Sequence, residues 1–430
     1  MSDLLEVRAQ SDIVGPSVPF AGWVKPNSRL CLYTEPGCIG PKITPQLRSG
    51  HVVTQPVGVE GAEPGDAIVI RIERLDVISK ATASGTEVPR PGHFVSSASV
   101  GKKCAACGRL NPDTYLQGTG LEAIRCRHCG QPVLAFTPTH FYTVVMDQER
   151  KVALTVDAQQ AEQIAHKAYE WMGLNPAQAV SYPAVLLAQA QMAGGIPLRM
   201  RPMIGNVGTV PSVDMPSSNN CGDFGQAIIG AEVFGITAEQ LAEARTDAHM
   251  DIDSVRAGSV LICPVKVPGG GVFAGDVHAF QGDGEIAGHT SDVAARVEVI
   301  VDIIKGLAVD GPILLPPLSD LPPLAKPLSD EEQQKATALA QEFGTTMSEE
   351  WLPLQMIGSG ADLAQAVENG LARLEKLTGL GRGEIRNRVT MAGAVEIGRL
   401  PGMIQITLPT PLDLLQRLGL DRLLKKQYQR

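Results

Sequence analysis

The chain has 430 residues and a formal net charge of −9. This acidic balance argues against nucleic acid or an anionic membrane as a partner and favours a small neutral ligand. With 45 Gly, 31 Pro and only 4% aromatic residues, the composition favours a loop-rich, mainly β architecture over a helical bundle. The N-terminus shows no secretory signal, and no apolar run reaches the about 20 residues that span a bilayer, so we expect a cytoplasmic protein.

Secondary structure patterns in the first half of the chain are mostly those of strands. Short apolar runs between turn signals predict strands over residues 20–100, and residues 141–146 resume this pattern. Periodic apolar positions predict helices at 157–172 and 184–193. Thr237-x-x-Gln240 is a capping box that predicts a short helix after it.

Four of the eight cysteines form two Cys-x2-Cys pairs, Cys104 with Cys107 and Cys126 with Cys129. This spacing predicts a zinc ribbon over 101–132, in which four thiolates bind one structural Zn²⁺. Two disulfides are the alternative, but no disulfide framework includes the other cysteines, Cys31, Cys38, Cys221 and Cys263. Because a closed four-cysteine site has no open position for chemistry, we expect it to stiffen a loop or build a subunit contact.

The segment 275–285, with sequence GDVHAFQGDGE, is rich in groups that carry chemistry. On a strand, Asp276 and His278 would share one face, and after a change of phase Gln281, Asp283 and Glu285 would share a face. Carboxylate oxygens and an imidazole nitrogen would then point together, as a divalent metal such as zinc requires. The alternative is a polar turn between strands, since Gln-Gly-Asp-Gly has good turn chemistry.

A second polar cluster lies just upstream. His249 and Asp251 precede the apolar run 260–265, which predicts a buried strand. The 275–285 segment follows about ten residues later, a separation that a hairpin would span. Two polar clusters on neighbouring strands predict a single site.

At these residues the sequence resembles the acetamidase/formamidase family. The matching stretches follow the family's order: VGVEGAEPGDAIVIRIERLDV (57–77), PMIGNVGTVPS (202–212), HMDIDSVRAGSVLICPVKVPGGGVFAGDVHAFQGDGEIAG (249–288) and MAGAVEIGRLPGMIQITLP (391–409). The resemblance implies a metal-dependent hydrolase of small amides, with relatives that open lactams. It also points to a β-sandwich or jelly-roll-like body.

The sequence departs from the family pattern in two places near the expected pocket and in one further insertion. Family members usually carry Gly-Gly-Asn-x-Asp before the apolar strand, whereas here His249 stands where Asn is usual and Asp251 is kept. Residues 213–245 include extra sequence outside the common pattern, and the zinc ribbon is an insertion relative to it. Both changes near the expected pocket bear on the choice of substrate.

The mechanistic hypothesis begins with a metal, expected to be Zn²⁺, held by Asp251, Asp276 and His278. Such a metal would polarise the amide carbonyl and lower the pKa of a bound water from ~16 towards ~7. The oxygen-rich donor set leaves calcium or manganese open as alternatives.

The remaining roles are assigned to neighbouring residues. Glu285 is the expected general base, and Gln281 is expected to help hold the developing oxyanion. Asp283 could exchange roles with the ligand aspartates, and Glu285 could itself be a ligand. His249 is expected to contact the substrate, as is His51, because a His stands at a comparable place in family members; a structural role for His51 is the alternative.

The C-terminal part changes character. Prolines concentrated between residues 312 and 323 predict an extended linker at 310–328, and Ser329-x-x-Glu332 begins a helix as a capping box. Later patterns predict helices at 361–377, 384–397 and 412–430 and a strand at 403–408. We therefore expect a β-rich body over 1–309 and an α/β region over 329–430, in the α+β class overall.

The expected function is hydrolysis of a small carboxamide to ammonia and a carboxylate. One alternative is a lactamase or cyclic-amide hydrolase with a larger pocket. Another is a non-catalytic small-molecule-binding scaffold with a degraded amidase site. A homo-oligomer, either a dimer or a tetramer, is the default expectation for the assembly.

Overall fold

The structure, a computed structural model, describes residues 4–38, 51–95, 97–101, 103–110, 112–230, 234–347 and 349–428. The strands in chain order are β1 (Leu4–Val7), β2 (Gln10–Ser11), β3 (Ile13–Val14), β4 (Trp23–Val24), β5 (Ser28–Thr34), β6 (Val53–Thr54), β7 (Gly58–Val59), β8 (Ala67–Val77), β9 (Ala81–Pro89), β10 (Phe94–Val95), β11 (Ser97–Gly101), β12 (Thr114–Leu116), β13 (Ile124–Cys126), β14 (Phe136–Met146), β15 (Val152–Thr155), β16 (Pro197–Arg199), β17 (Met203–Thr209), β18 (Met215–Pro216), β19 (Val260–Pro264), β20 (Val272–His278), β21 (Asp292–Val293), β22 (Ala295–Ile304), β23 (Ile313–Leu315), β24 (Trp351–Ser359), β25 (Ala394–Arg399) and β26 (Met403–Pro411).

The helices are fewer, and several of them begin at a residue whose side chain caps the helix. Asp157, Thr237 and Ser329 each form a capping box, which confirms the helix starts predicted at Thr237 and Ser329. Among the described residues, no helix is both long and apolar enough to span a bilayer. In chain order the helices are α1 (Ala158–Ala165), α2 (Ala168–Met172), α3 (Ala238–Ala244), α4 (Asp330–Glu342), α5 (Leu363–Thr378), α6 (Arg382–Ala392), α7 (Leu412–Arg417) and α8 (Asp421–Tyr428).

Two sheets share the largest core. In the described part of the chain, the main sheet contains nine strands in the order β1, β5, β22, β8, β19, β23, β24, β26, β25. A second sheet consists of β17, β20, β6 and β2, with β21 paired to β20. Leu30, Ile70 and Val299 of the main sheet belong to one buried cluster with Ile204 and Val277 of the second sheet. This shared core makes the body a sandwich of sheets.

The C-terminal helices cover another part of the main sheet. Leu354 and Ile406, from β24 and β26, pack in one cluster with Leu371 and Leu374 of α5 and Leu424 of α8. A mainly β body followed by an α/β C-terminal part confirms the predicted α+β class. Strand β23 lies inside the segment predicted as a linker at 310–328 and pairs with both β19 and β24. The main sheet thus takes strands from both sides of this segment, and the division into two domains stays a prediction.

The cysteine-rich insertion extends from a third sheet. Strands β16, β15, β14 and β9 form this sheet, and the insertion joins β9 to β14. Its core includes Cys104 and Cys126 together with Phe136 from β14, Ile164 from α1 and Met172 from α2. The insertion is therefore packed on a core of its own.

Several secondary-structure predictions were wrong. Residues 184–193 contain no helix, because Ala184 to Leu187 are all buried and four consecutive side chains cannot share one helical face. The helix at 384–397 ends at Ala392, and Gly393 leads into strand β25. Strands β19 and β20 do not form a hairpin, because Gly269, Gly270 and Gly271, all with positive φ, turn the chain from the main sheet into the second sheet.

Candidate active site

The end of β20 brings together the residues of the 275–285 segment and two others. Asp276 and His278 are the last polar residues of β20, and His278 pairs in register with Asp292 of β21. Asp251 comes from the loop before β19, next to the neighbouring strand β17. All four of these side chains are buried. Beyond His278 the chain is a loop, so the alternation predicted for residues 281–285 on a strand was wrong.

Three carboxylates surround one imidazole nitrogen. His278 Nε2 lies 3.4 Å from Asp276 Oδ1, 3.5 Å from Asp292 Oδ1 and 3.9 Å from Asp251 Oδ1. These three Oδ1 atoms are buried and accept no hydrogen bond from any described residue. Buried carboxylate oxygens without donors call for a compensating charge. An imidazole nitrogen with several carboxylate oxygens is a donor set that suits zinc and other divalent cations, so these residues fit the expected metal.

Gln281 fixes the orientation of the His278 ring. Gln281 Oε1 lies 2.8 Å from His278 Nδ1, and the Gln281 amide donates to the carbonyls of Asp251 at 2.6 Å and Gly398 at 3.1 Å. His278 Nδ1–H therefore donates to Gln281, which leaves Nε2 for the carboxylates. Because both amide hydrogens of Gln281 are engaged, this arrangement favours a positioning role over the predicted oxyanion contact.

The two histidines predicted to bind substrate lie against the same carboxylates. His249 Nε2 is 2.9 Å from Asp251 Oδ2 and 3.2 Å from Asp276 Oδ2, and its Nδ1–H donates to the Ser218 carbonyl at 2.8 Å. His51 Nδ1 is 3.1 Å from Asp276 Oδ2. The structure therefore brings His51 and His249 to the centre, although their contact with substrate stays a prediction.

Charges in this buried cluster are strongly coupled. Burial opposes the charged form of every group, but the neighbouring carboxylates raise the pKa of His249 and His278 well above the usual value for histidine. Against the same burial, His249 and Arg399 lower the pKa of Asp251 to about 2. Burial and the charge of Asp276 raise the pKa of Asp292. Positive charge thus stabilises this cluster, whether it is carried by protons, by arginine or by a cation.

Sequence reasoning missed Arg399 and Asp223. Arg399 is fully buried, contacts Asp251 Oδ2 and donates two hydrogen bonds of 2.8 Å to the Asp223 carboxylate. Its guanidinium also lies 4.4 Å from the centre of the Phe224 ring. Arg399 falls in the last stretch that resembles the family, and Asp223 in the extra sequence at 213–245. No local spacing links these two residues to the site, so only the fold reveals the pair.

The backbone at the centre is strained. Asp251, Asp276 and Glu285 have φ values of 47°, 55° and 40°, a region that residues other than glycine rarely occupy. A side chain at Gly37 or Gly205 would collide with the carboxylates of Asp276 and Asp251, respectively. Such strain persists where the surrounding structure holds a functional geometry.

Glu285 and Asp283 occupy different environments. The Glu285 residue is 8% exposed, and burial, followed by the negative charge of Asp251, raises the pKa of its carboxyl group to about 8. The loop around it is fixed by hydrogen bonds from Gly284 N–H to the Gly398 carbonyl and from Leu400 N–H to the Gly284 carbonyl. Asp283 is exposed, so its position does not support the predicted catalytic role.

The four cysteines of the insertion gather at a second site. The Sγ atoms of Cys104, Cys107, Cys126 and Cys129 all lie within 4.8 Å of one another. The Sγ atoms of Cys104 and Cys129 are 3.6 Å apart, close to the about 3.8 Å that tetrahedral Zn–S bonds of about 2.3 Å would give.

Each cysteine pair lies in a tight turn of the kind that presents two thiolates to one metal. Gly108 N–H donates to the Cys104 carbonyl and Gly130 N–H to the Cys126 carbonyl, and both glycines have positive φ. None of the cysteines is in a disulfide. These four cysteines can therefore hold a metal ion.

Comparisons with known proteins agree with this description. Residues 40–415 match the model of the Acetamidase/Formamidase family. A curated acetamidase from Mycolicibacterium smegmatis is 26% identical over 305 residues, and the match spans 68% of this chain and 65% of that protein.

Solved structures share the fold. A predicted acetamidase/formamidase from Thermoanaerobacter tengcongensis has a TM-score of 0.54 and 17% identity, with 97% of this chain and 98% of that chain covered. An acetamidase from Yersinia enterocolitica also has a TM-score of 0.54 and 17% identity, with 96% and 93% covered. An acetamidase from Bacillus halodurans has a TM-score of 0.53 and 15% identity, with 97% and 100% covered. The family match covers most of the chain, and the chain therefore belongs to the acetamidase/formamidase family.

Proposed function

We propose that this chain hydrolyses small carboxamides in a metal-dependent reaction that releases ammonia and a carboxylate. The observation that carries the proposal is that three carboxylate oxygens, none of which accepts a hydrogen bond from a described residue, surround His278 Nε2. The buried Glu285 lies next to them. Membership of the family supports an amide substrate.

The metal ligands in this proposal are His278, Asp276 and Asp251, with Asp292 as a fourth. When bound, a cation such as Zn²⁺ would polarise the amide carbonyl and stabilise negative charge on its oxygen. Asp292 extends the set predicted from the sequence, because it is the cross-strand partner of His278 and its Oδ1 faces the same nitrogen.

Glu285 is the proton carrier in this mechanism. Its pKa of about 8 lies near neutral pH, so the carboxyl group can take a proton from the hydrolytic water and return it to the leaving nitrogen. Gln281 orients His278, and Arg399 holds Asp251 in place through their ion pair. Asp283 has no role in this mechanism.

The four-cysteine site has a different purpose. We propose that it binds one Zn²⁺ that stabilises the insertion between β9 and β14, since thiolates at this spacing select zinc and leave it no open position. It lies in a separate core, so its contribution is to folding. The homo-oligomeric state stays a prediction.

The test is ammonia release from formamide, acetamide, longer aliphatic and aromatic amides, with amino-acid formation followed for small lactams. We expect turnover of at least one amide, loss of turnover after chelation, and recovery on adding Zn²⁺. Glu285→Gln should lower kcat by about 100-fold or more, the usual scale for a general base. The matched control is Glu298→Gln, a poorly exposed carboxylate on β22 that pairs with Arg296. Unchanged turnover in Glu285→Gln would contradict the mechanism.

A further inference from the structure

Cys38 lies beside the proposed metal centre and is held between two histidines. It follows β5, is nearly buried at 9% exposure, and its backbone N–H donates to Asp292 Oδ2. Its Sγ atom is 3.3 Å from His289 Nδ1 and 3.4 Å from His51 Nε2. Both distances are within reach of a hydrogen bond that involves sulfur. The thiol is therefore in contact with two possible proton acceptors.

The histidine on one side of Cys38 is itself oriented by a carboxylate. His289 Nε2 lies 3.2 Å from Glu87 Oε1, and the exposed fractions of these two side chains are 17% and 8%. Nε2–H of His289 therefore donates to Glu87, which leaves Nδ1 as the acceptor for the Cys38 thiol. A nucleophile, a base and a group that orients the base form the constellation that activates cysteine and serine nucleophiles on unrelated folds.

This constellation lies at the metal centre of the proposed function. Ligand atoms of Cys38, His51 and Asp276 all lie within 4.8 Å of one another. An amide carbonyl that reaches the ligands of the centre would thus also be near the Cys38 thiol. The other cysteine of the neighbourhood, Cys221, is fully buried and accepts a hydrogen bond from the Arg399 guanidinium at 3.2 Å.

We propose that Cys38 is the nucleophile of the amide hydrolysis, with His289 as its base and Glu87 as the residue that positions His289. This inference rests on the proposed function, which it divides into two steps, and it gives the protonation of the leaving nitrogen to His289 in place of Glu285. In the first step, His289 takes the thiol proton, the Cys38 sulfur bonds to the carbonyl carbon, and the C–N bond breaks as His289 gives the proton to the leaving nitrogen. Ammonia departs and a thioester remains.

The second step returns the enzyme to its starting state. Water, activated by Glu285, adds to the thioester carbon; the C–S bond breaks, and the thiol regains its proton. The sum is amide plus water to carboxylic acid plus ammonia, with no change of oxidation state.

The first test is acyl transfer. Wild-type protein given an amide and hydroxylamine should form the acyl hydroxamate, and acid-quenched samples should carry the acyl mass on the Cys38 peptide. Cys38→Ala should form neither product and should lose at least about 1000-fold in kcat, a usual scale for removing a nucleophile. Cys263→Ala is the control, since this thiol is buried in β19 with its pKa raised to about 12 by burial.

Metal content separates the proposal from its main competitor. Cys38→Ala should keep the metal content of the wild type. If this variant loses one metal ion per chain, Cys38 is a ligand and the proposal is wrong. Activity of Cys38→Ala within about threefold of wild type, together with no acyl transfer by wild type, would also overturn it.

A second measurement does not need turnover. Iodoacetamide should modify Cys38 faster than Cys263, and His289→Asn should slow the reaction at Cys38 by about tenfold or more. Glu87→Gln should shift the pH profile of this alkylation with little change in fold. Equal reactivity of Cys38 and Cys263 would overturn the triad even if no amide is turned over, whereas fast alkylation without turnover would count against the proposed substrate class and leave the triad standing.

Discussion

The four-cysteine site and the buried carboxylate centre are both metal-ligand clusters, but they are assembled in different ways. The four cysteines come from one insertion, two from each of two tight turns, and share a core with α1 and α2. The carboxylate centre takes Asp251 from a loop, Asp276 and His278 from β20, and Asp292 from β21. A site that depends on local spacing can be found in a sequence, whereas a site that depends on sheet topology requires the fold.

The two clusters also differ in chemistry. The cysteine site offers a closed set of four thiolates, which suits a structural metal. The carboxylate centre combines carboxylate oxygens that accept no hydrogen bond from the described residues, a strained backbone and the buried Glu285 with its raised pKa. Raised pKa values, buried charge and strain are typical of reactive sites. The difference predicts that damage to one cluster affects folding and damage to the other affects turnover.

The largest expected effect on turnover comes from His278. We expect His278→Ala to lower kcat/KM by at least ~1000-fold, equal to about 4 kcal/mol of transition-state stabilisation, because the carboxylates lose their shared nitrogen partner. Steady-state ammonia release measures this effect. His166→Ala, at the exposed end of α1, is the control and should keep wild-type turnover. If His278→Ala lowered kcat/KM by less than tenfold, the carboxylate centre would not be the catalytic one of the two clusters.

The next largest effect concerns stability. Arg399→Met leaves the buried carboxylates of Asp223 and Asp251 without their cation and should lower the free energy of unfolding by about 3–5 kcal/mol. Urea denaturation measures it. Arg382→Met is the matched control, because its pairs with Glu368 and Glu375 lie at the surface, where water screens them, and should contribute little to stability. Equal losses in the two variants would show that Arg399 does not hold the centre together.

Gln281 should show a smaller effect on turnover. Gln281→Ala removes the acceptor for His278 Nδ1–H and should lower activity or metal affinity by about 10–100-fold, the usual effect of losing the partner of a metal-ligand histidine. Titration with Zn²⁺ should recover part of the activity if the effect is on affinity. Loss of activity with unchanged metal affinity and an unchanged pH profile would instead favour the oxyanion role predicted from the sequence.

A pH-dependent effect on stability is expected at Glu35, which follows β5 and lies three residues before Cys38. Burial raises the pKa of Glu35 to about 7, although the Val180 N–H opposes this shift. Since the pKa is raised in the folded protein, the stability contribution is present below the unfolded pKa of about 4.5 and is lost as pH rises through 7. The free energy of unfolding of Glu35→Gln relative to wild type should therefore increase by about 2–3 kcal/mol between pH 5 and 8. A pH-independent difference would contradict the raised pKa of the half-buried Glu35.

Much of the fold class followed from patterns that act locally. Capping boxes at Thr237 and Ser329 begin helices where expected, because a side chain and a backbone N–H only three residues apart decide the start. The buried strand at 260–264 was also predicted, because both of its faces are covered and its residues are continuously apolar. The clustering of the four cysteines was also predicted from their spacing, because each Cys-x2-Cys pair is a local pattern.

The centre was predicted in part. Asp251, Asp276, His278 and His249 were identified because they lie in the stretch that carries the family resemblance, and the structure brings them together. Their predicted placement on a hairpin was wrong, since three glycines send β20 into another sheet. Register across β20 and β21, which sequence spacing does not encode, brings Asp292 opposite His278.

Arg399 lies far from the centre in sequence and reaches it through the packing of the C-terminal region. Arg399 lies at the end of β25, and no sequence pattern relates this strand to the loop of Asp251. The ion pair between Arg399 and Asp251 therefore could not be predicted from the sequence. Cys38 is similar, since its two histidine neighbours come from separate segments.

The most direct test of two separate clusters is the metal content of three proteins, measured by elemental mass spectrometry on purified wild type, Cys107→Ser and His278→Ala. We predict that wild type carries the zinc of the cysteine site and a further cation. Cys107→Ser should lose the first and keep the second, whereas His278→Ala should do the reverse. A wild type whose metal disappears entirely in Cys107→Ser and is unchanged in His278→Ala would contradict the assignment of a metal to the carboxylate centre.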